Sequence, residues 1–159
     1  MPLRQYVYFA LFSQHTSAAE MTALLGIEPD EVSVRGSRFT EPAVVPVSHS
    51  WKIVCREPGL RVDEQIGRVL DRLRPHTAGI AELAGRLAAE EHEHGGAVLE
   101  VVRCFNDTDP EQQPRQQGTP EDSNLFGWHL DRDVLDFLTA TGAVLDIDEY
   151  DMTPYEDGD

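Results

Sequence analysis

The chain is poor in positive charge. Its 159 residues include 13 Lys and Arg against 29 Asp and Glu, a formal net charge of −16. Residues 106–159 hold 2 basic and 15 acidic residues, a net charge of −13, whereas residues 1–105 hold 11 and 14, a net of −3. A field of this sign repels phosphate backbones and anionic membrane surfaces, so we expect neither nucleic acid nor a membrane as a partner. The partners that it favours are basic proteins and cations.

Cysteines and long apolar runs are also scarce. The only cysteines are Cys55 and Cys104, each inside a predicted strand. Buried free thiols in a reducing compartment are the expectation, with a disulfide between neighbouring strands as the alternative. Residues 1–6 do not begin a signal peptide, and no run approaches the roughly 20 apolar residues of a membrane-spanning helix. We therefore expect a cytoplasmic protein.

Signatures of known reactions are missing as well. The sequence contains no nucleophile elbow, phosphate-binding loop, dinucleotide glycine pattern or zinc signature. Asn106-Asp107-Thr108-Asp109 lacks the glycine and the distal glutamate of a calcium loop. His92 and His94 are two residues apart and would diverge on a helix. We therefore assign no catalytic residue, no cofactor and no metal site.

Apolar periodicity and capping residues predict the secondary structure. Strands are predicted at residues 6–12, 48–55, 97–105, 124–130 and 142–151, with a short edge strand at residues 43–45. Helices are predicted after the capping box that begins at Ser17, over residues 62–74, beyond Pro75 and after the N-cap Asp131. Loops are predicted at residues 28–48 and 106–123. We expect one domain over residues 1–151 and a flexible acidic tail over residues 152–159.

The order of these elements predicts an α+β fold. From residue 48 to residue 150 they follow the pattern βαββαβ, the split βαβ of ferredoxin-like folds, preceded by an extra β-α unit. The helices then lie on one face of the sheet. Alternation places Leu145 and Ile147 on that face and sends Asp146 and Asp148 to the other. The second face is open to solvent, closed by the 28–48 loop or buried in a homodimer, and the sequence leaves these alternatives open.

Several short motifs occur together along residues 6–151. A short helix ends in a segment from Leu24 to Asp30, a basic turn follows at Arg35-Gly36, a strand begins with Ser50-Trp51, and residues 142–148 precede Tyr150. In this combination the chain is similar to the bacterial domain-of-unknown-function family four-two-seven-nine. The resemblance implies a bacterial cytoplasmic protein of one domain and no established activity. It marks four residues as positions of the family pattern: Gly36, Trp51, Asp146 and Asp148.

Two binding functions fit these observations. The first is a protein-interaction module, an immunity-like or antitoxin-like partner of a basic protein, because the last third of the chain is acidic and no catalytic constellation is present. The second is a small-ligand-binding domain that uses the sheet face opposite the helices. The candidate contacts to a ligand or partner are Arg35, Arg38, Trp51, Lys52, Asp146 and Asp148.

Two local patterns have competing interpretations. Arg35-Gly36-Ser37-Arg38 could hold an anion through guanidinium and backbone N–H groups, or it could be a solvated turn whose arginines pair with carboxylates. Asp146 and Asp148 could serve a carboxylate-based hydrolase if His129, Lys52 or Arg103 lay beside them. The alternative for the aspartates is an exposed strand face that carries charge against edge-to-edge aggregation.

Overall fold

The computed structural model describes residues 3–37, 45–108 and 126–155. Its strands are β1 (Leu3–Ser13), β2 (Glu31–Ser33), β3 (His49–Cys55), β4 (Gly96–Phe105) and β5 (Val144–Asp151). Its α-helices are α1 (Ala18–Leu25), α2 (Val62–Leu73), α3 (Thr77–Glu91) and α4 (Arg132–Thr141). Short 3₁₀ turns at Arg74–His76 and His92–His94 flank α3. None of the described helices is long and apolar enough to span a membrane.

The five strands form one sheet in the order β2-β3-β1-β4-β5. The aromatic and apolar strand β1 lies in the centre and is antiparallel to both β3 and β4. β2 is antiparallel to β3, and β5 is parallel to β4. β3 and β4 therefore run in the same direction on either side of β1, and α2 and α3 connect them. The fold is α+β, as the sequence predicts.

The core lies between one face of the sheet and the helices. Val7, Phe9 and Leu11 of β1 have no exposed surface and belong to the same apolar cluster as buried residues of all four helices. Phe137 of α4 packs edge-to-face against Phe9, with ring centroids 5.5 Å apart. Because this face buries the apolar stripes of the helices, burial of its apolar area supplies most of the driving force for folding. The prediction of helices on one face is confirmed.

Local sequence signals explain where the helices begin and end. Ser17 and Glu20 form the predicted capping box of α1, and Gly26 ends that helix at a φ of 70°. Pro75 lies in the 3₁₀ turn between α2 and α3, so the predicted interruption produces two helices in sequence. Apolar spacing alone predicts that Leu24 of α1 and Leu135 of α4 face inward, but both are exposed, and Met21 and Phe137 occupy the core-facing positions of these helices.

The predicted strand over residues 124–130 is wrong in the part that the structure describes. Residues 126–130 form no strand, and residues 124 and 125 lie outside the described ranges. Trp128 and Leu130 instead pack against the helix-side core from an irregular connection, and their apolar spacing imitates a strand. With no strand at residues 126–130, the ferredoxin-like βαββαβ arrangement is not confirmed.

The edge strand beside β3 is also not where the sequence predicts it. The neighbour of β3 is Glu31–Ser33, and Val45 lies in no strand, while residues 43 and 44 are outside the described ranges. Asp107, from the rejected calcium pattern, instead accepts a hydrogen bond from Arg4 over 2.7 Å. Cys55 and Cys104 are buried and free, which confirms the prediction for the thiols.

The first residues of the predicted flexible tail are held by hydrogen bonds. The backbone N–H of Met152 donates to the carbonyl of Phe105 over 2.8 Å, and Thr153 hydrogen-bonds Asp151. Residues 156–159 of the predicted tail lie outside the described ranges, as do residues 109–123 of the predicted loop. The hydrogen bond at Met152 extends the order of β5 one residue past its end.

Candidate functional site on the open sheet face

The sheet face opposite the helices, here called the open face, carries the candidate site. Strand register places Tyr8 beside Val54 and Glu100, and Glu100 beside Asp146. Residues two positions away on a strand share its face, so Asp148 belongs to the open face as well. The predicted orientation of the two aspartates, away from the helices, is confirmed by this register. Leu145 packs on the helix-side core as predicted, whereas Ile147 on the same side is 40% exposed.

Three carboxylates meet on this face and form what we call the carboxylate cluster: Glu100, Asp146 and Asp148. Each offers an oxygen within 4.8 Å of the others. The parallel pairing of β4 with β5 brings them together, since it sets Glu100 directly opposite Asp146. Oxygen ligands of this kind suit Ca²⁺ or Mg²⁺, and these three would supply part of the roughly six to eight ligands that Ca²⁺ takes.

The carboxylate cluster has perturbed proton affinities. Burial raises the pKa of Glu100, and the adjacent Asp148 and Asp146 raise it further, against the hydrogen bond that the Tyr8 hydroxyl donates to it. Burial and the same hydrogen bond raise the pKa of Tyr8, so that its hydroxyl stays protonated and keeps donating. Asp148 raises the pKa of the exposed Tyr150. The cluster is thus a concentrated negative charge with a fixed proton donor on one side.

Arg4, Lys52 and Arg56 are cations of the open face, and none of them pairs with the cluster. Arg4 forms an ion pair with Asp107 over 2.7 Å, whereas Lys52 and Arg56 stack on tyrosines. The Lys52 ammonium lies 4.4 Å from the centre of the Tyr8 ring, and the Arg56 guanidinium lies 4.3 Å from that of Tyr6. Arg56 also forms an ion pair with Glu31 over 2.8 Å. Within residues 3–37, 45–108 and 126–155, no ion pair reaches the carboxylate cluster. No ion pair among these residues therefore neutralises the charge of the cluster.

Glu100→Gln is expected to stabilise the protein at pH 7 by about 0.5–1 kcal/mol, because it removes like-charge repulsion that solvent partly screens. The folded-state pKa of Glu100 is raised. At pH values just above the ordinary pKa of glutamate, the folded chain therefore binds more protons than the unfolded chain. The cost of ionising Glu100 therefore appears as pH rises through the raised pKa, and the gain from glutamine should vanish near pH 4.

Urea unfolding at pH 7 and pH 4 measures this difference. Glu149→Gln is the matched control, since Glu149 is exposed on the neighbouring strand β5 and lies outside the cluster. We expect the control to change the free energy of unfolding equally at both pH values. A loss of stability at pH 7 in Glu100→Gln would mean that the cluster is compensated after all.

A groove lies on the same face at the β3 side of Tyr8. Its volume is about 390 Å³, within the usual range for small-molecule sites. Residues 45–48, which precede β3, form one wall. Apolar lining comes from Phe12, Val47 and Val98, and polar lining from Ser50 and Lys52. The groove therefore combines an apolar surface with a small number of polar groups.

The candidate residues predicted from sequence divide between the two faces. Lys52, Asp146 and Asp148 are on the open face, but Trp51 is not. Trp51 has no exposed surface, belongs to the helix-side core and donates from Nε1 to Thr22 Oγ1 over 3.2 Å. Its prediction as a contact on this face is wrong, because strand alternation sends it to the side opposite Lys52.

The arginines do not join this site. Arg35 is exposed; its backbone N–H donates to His49 Nδ1 over 3.0 Å and its guanidinium to the Gln14 carbonyl over 3.3 Å. Arg38 lies outside the described residues. Arg103 is buried, donates to Gln5 Oε1 and stacks on Phe105, so it is on the helix side. His129 lies 3.8 Å from Asp63, away from the aspartates.

Sequence reasoning missed Glu100, Tyr8 and Ser50. A signal for Glu100 existed, because it is the only charged residue from Gly96 to Val102 in an otherwise apolar strand. Alternation would have placed it on the side opposite Leu99. No sequence signal sets Glu100 opposite Asp146, since that contact depends on the register between β4 and β5. The carboxylate cluster therefore forms only through the pairing of β4 with β5.

Comparison with known proteins identifies the family of the chain. The family model described as domain of unknown function DUF4279 matches residues 3–152. The chain belongs to this family. The match confirms the resemblance inferred from short motifs and spans every described strand and helix of the DUF4279 domain. No curated protein and no solved structure matches the chain.

Proposed function

We propose that this DUF4279 domain is a non-catalytic interaction module that binds a basic protein, as an immunity-like or antitoxin-like partner would. The observation that supports this is the carboxylate cluster, whose charge has no cationic partner in the described part of the chain. We place the action of the protein in the cytoplasm of a bacterium, in keeping with its two free thiols. A small-ligand-binding function is the second candidate.

The edge of the sheet has further features that suit a basic partner. Glu149 and Asp151 add acidic groups to β5, which lies at the end of the sheet order. Val144 and Tyr150 are 63% and 49% exposed on the face of the cluster and provide apolar contact area among the charges. Interfaces gain affinity from such apolar anchors, while surrounding charges steer association and select the partner.

A pair of double variants of equal charge tests this proposal. Asp146→Asn with Asp148→Asn removes two charges from the cluster, whereas Asp133→Asn with Asp136→Asn removes two exposed charges from α4. Each is used to capture basic proteins from an extract of the source cell at low salt, with recovery quantified by mass spectrometry. We expect the cluster variant to lose about tenfold in recovery of a specific basic protein, which corresponds to about 1.4 kcal/mol. The α4 variant should retain it.

Two results would count against a basic partner at the cluster. One is an equal loss in both double variants, which would indicate non-specific attraction by net charge. The other is the absence of any basic protein that depends on the cluster. Raising the salt concentration should release a genuine partner, because association steered by charge weakens with screening.

The second candidate function, small-ligand binding, is favoured by a different observation. The groove is open beside Tyr8 and is lined by apolar and polar groups together. Sites for small molecules have this composition, in which apolar walls supply area and a few polar groups fix orientation. The groove and the carboxylate cluster adjoin each other at Tyr8 and on β4, where Val98 of the groove lies two residues from Glu100.

A further inference from the structure

We propose that the groove binds a small organic anion, a carboxylate or sulfonate with an apolar body, whose charged end contacts Lys52 and Ser50. This inference rests on the second proposed function, small-ligand binding, and is independent of the basic partner. It concerns the end of the open face that the carboxylate cluster does not occupy.

Ser50 is the first observation that points to a ligand. Ser50 is one of the residues that line the groove, it is 8% exposed, and its buried hydroxyl oxygen has no hydrogen-bond partner among the described residues. A buried hydroxyl without a partner costs roughly 1–3 kcal/mol, so such groups are uncommon in folded proteins. A ligand oxygen in the groove would accept the hydrogen bond that the described residues leave unmade.

Lys52 is the second observation, and it sets the charge of the ligand. Lys52 is half-buried in the groove lining, and in the described chain no carboxylate pairs with it. Glu31, opposite Lys52 on β2, pairs with Arg56 instead. The contact that Lys52 makes is with the face of Tyr8, which leaves ammonium protons free to donate. An anion is the complement of this arrangement.

The walls of the groove indicate that the uncharged part of the ligand is apolar. Phe12 and Val98 form the floor, while Val45 and Val47 line the side and are 53% and 77% exposed. Burying these apolar groups against a ligand contributes favourable free energy without directionality. The polar groups then fix which end of the ligand faces Lys52. A ligand with an aromatic or branched apolar body and one anionic end matches both parts.

The test uses two dyes that differ mainly in charge. The anionic 8-anilinonaphthalene-1-sulfonate and the neutral N-phenyl-1-naphthylamine share an apolar aromatic body, and each is titrated by fluorescence against the full chain. We expect the anionic dye to bind about tenfold more tightly, and Lys52→Met to abolish that preference while leaving the neutral dye unchanged. Ser50→Ala should weaken the anionic dye about threefold. Arg56→Met is the control, as Arg56 is a cation on the same face that does not line the groove.

Chemical acetylation tests the role of the Lys52 charge in the folded wild-type protein, without relying on the folding of Lys52→Met. Lys52 is the only lysine in the chain, so acetylation of the folded protein neutralises it without a substitution. Acetylation should weaken the anionic dye as Lys52→Met does, and it should have no effect on a Lys52→Arg variant, which keeps the charge. Acetylation of the terminal amine is common to both proteins and cancels in this comparison.

The possible results distinguish a preference for anions from ligand binding at the groove as such. Equal binding of both dyes, insensitive to Lys52 but lost in a groove-filling Val98→Trp variant, would overturn the anion class and keep ligand binding as a function. Binding of neither dye would overturn both. Loss of the anionic dye in Arg56→Met to the same degree as in Lys52→Met would also overturn the assignment, since the attraction would then be general to the face.

Discussion

Trp51→Ala is expected to lower the free energy of unfolding by about 3–5 kcal/mol, which is the usual range for a large aromatic residue removed from a core. Trp51 is fully buried in the helix-side cluster and hydrogen-bonds Thr22. A loss of this size is a large fraction of the stability of an ordinary domain. Urea unfolding monitored by far-UV circular dichroism measures it without relying on tryptophan fluorescence.

The milder Trp51→Phe separates a core role from a binding role. It keeps an aromatic ring but removes the hydrogen bond to Thr22 and part of the volume, so we expect a loss of about 1–3 kcal/mol with a protein that still folds. Dye affinity at the groove should stay within twofold of the wild type. A variant that kept its stability and lost its affinity would show that Trp51 serves the open face directly.

Gln65→Leu is the second substitution with a large expected effect. It should destabilise the protein, although it places a more hydrophobic residue at a buried position. Gln65 is 1% exposed on α2, and its amide nitrogen donates to the carbonyls of Gln5 and Glu57 over 3.2 and 3.1 Å. Its side-chain oxygen accepts from Gln5 over 3.0 Å. Leucine would fill the space and leave these buried groups without a partner. We expect a loss of about 2–3 kcal/mol.

Arg68→Leu on the same helix is the control for this substitution. The side chain of Arg68 is 62% exposed, and its ion pair with Glu57 is long at 3.9 Å, so we expect a change within about 0.5 kcal/mol. Urea unfolding of both variants gives the comparison. Equal stability of Gln65→Leu and the wild type would mean that the amide network contributes nothing net to folding.

The network around Gln65 also explains why Arg103 does not serve the aspartates. Arg103 donates to Gln5, which is itself held by Gln65 and by the carbonyl of Leu60. These polar groups lie at the edge of the helix-side core, where an unpaired charge would be costly. The only basic residue of β4 is therefore committed to the structure on the side opposite Asp146 and Asp148.

Much of the fold follows from local sequence signals. The capping box at Ser17, the break at Pro75 and the apolar stripe of α2 each predict an element that the structure contains, since each depends on residues near one another in the chain. The strand expected at residues 124–130 fails for the converse reason. Trp128 and Leu130 pack against the core from an irregular segment, and alternation of apolar residues alone does not distinguish such a segment from a strand.

The site is less predictable because it depends on pairing between distant segments. Alternation places Asp146 and Asp148 on the face opposite the helices, and the register confirms it. It equally sends Trp51 away from Lys52, although both were expected to contact one ligand. The strand order brings Tyr8 of β1 beside Lys52 of β3 and Glu100 of β4 beside the aspartates of β5. That order is a long-range property of the fold.

The central claim is that the open face is the binding surface, and valine methyl NMR tests it most directly. Val98 and Val144 lie on the open face, one in the groove and one beside the cluster, whereas Val7 and Val101 lie on the helix side as internal controls. Methyl-labelled protein is titrated with the anionic dye and, separately, with a captured basic protein. We predict shifts at Val98 with the dye and at Val144 with the protein, while Val7 and Val101 stay unmoved. Shifts confined to the helix side or to exposed valines elsewhere would contradict the claim.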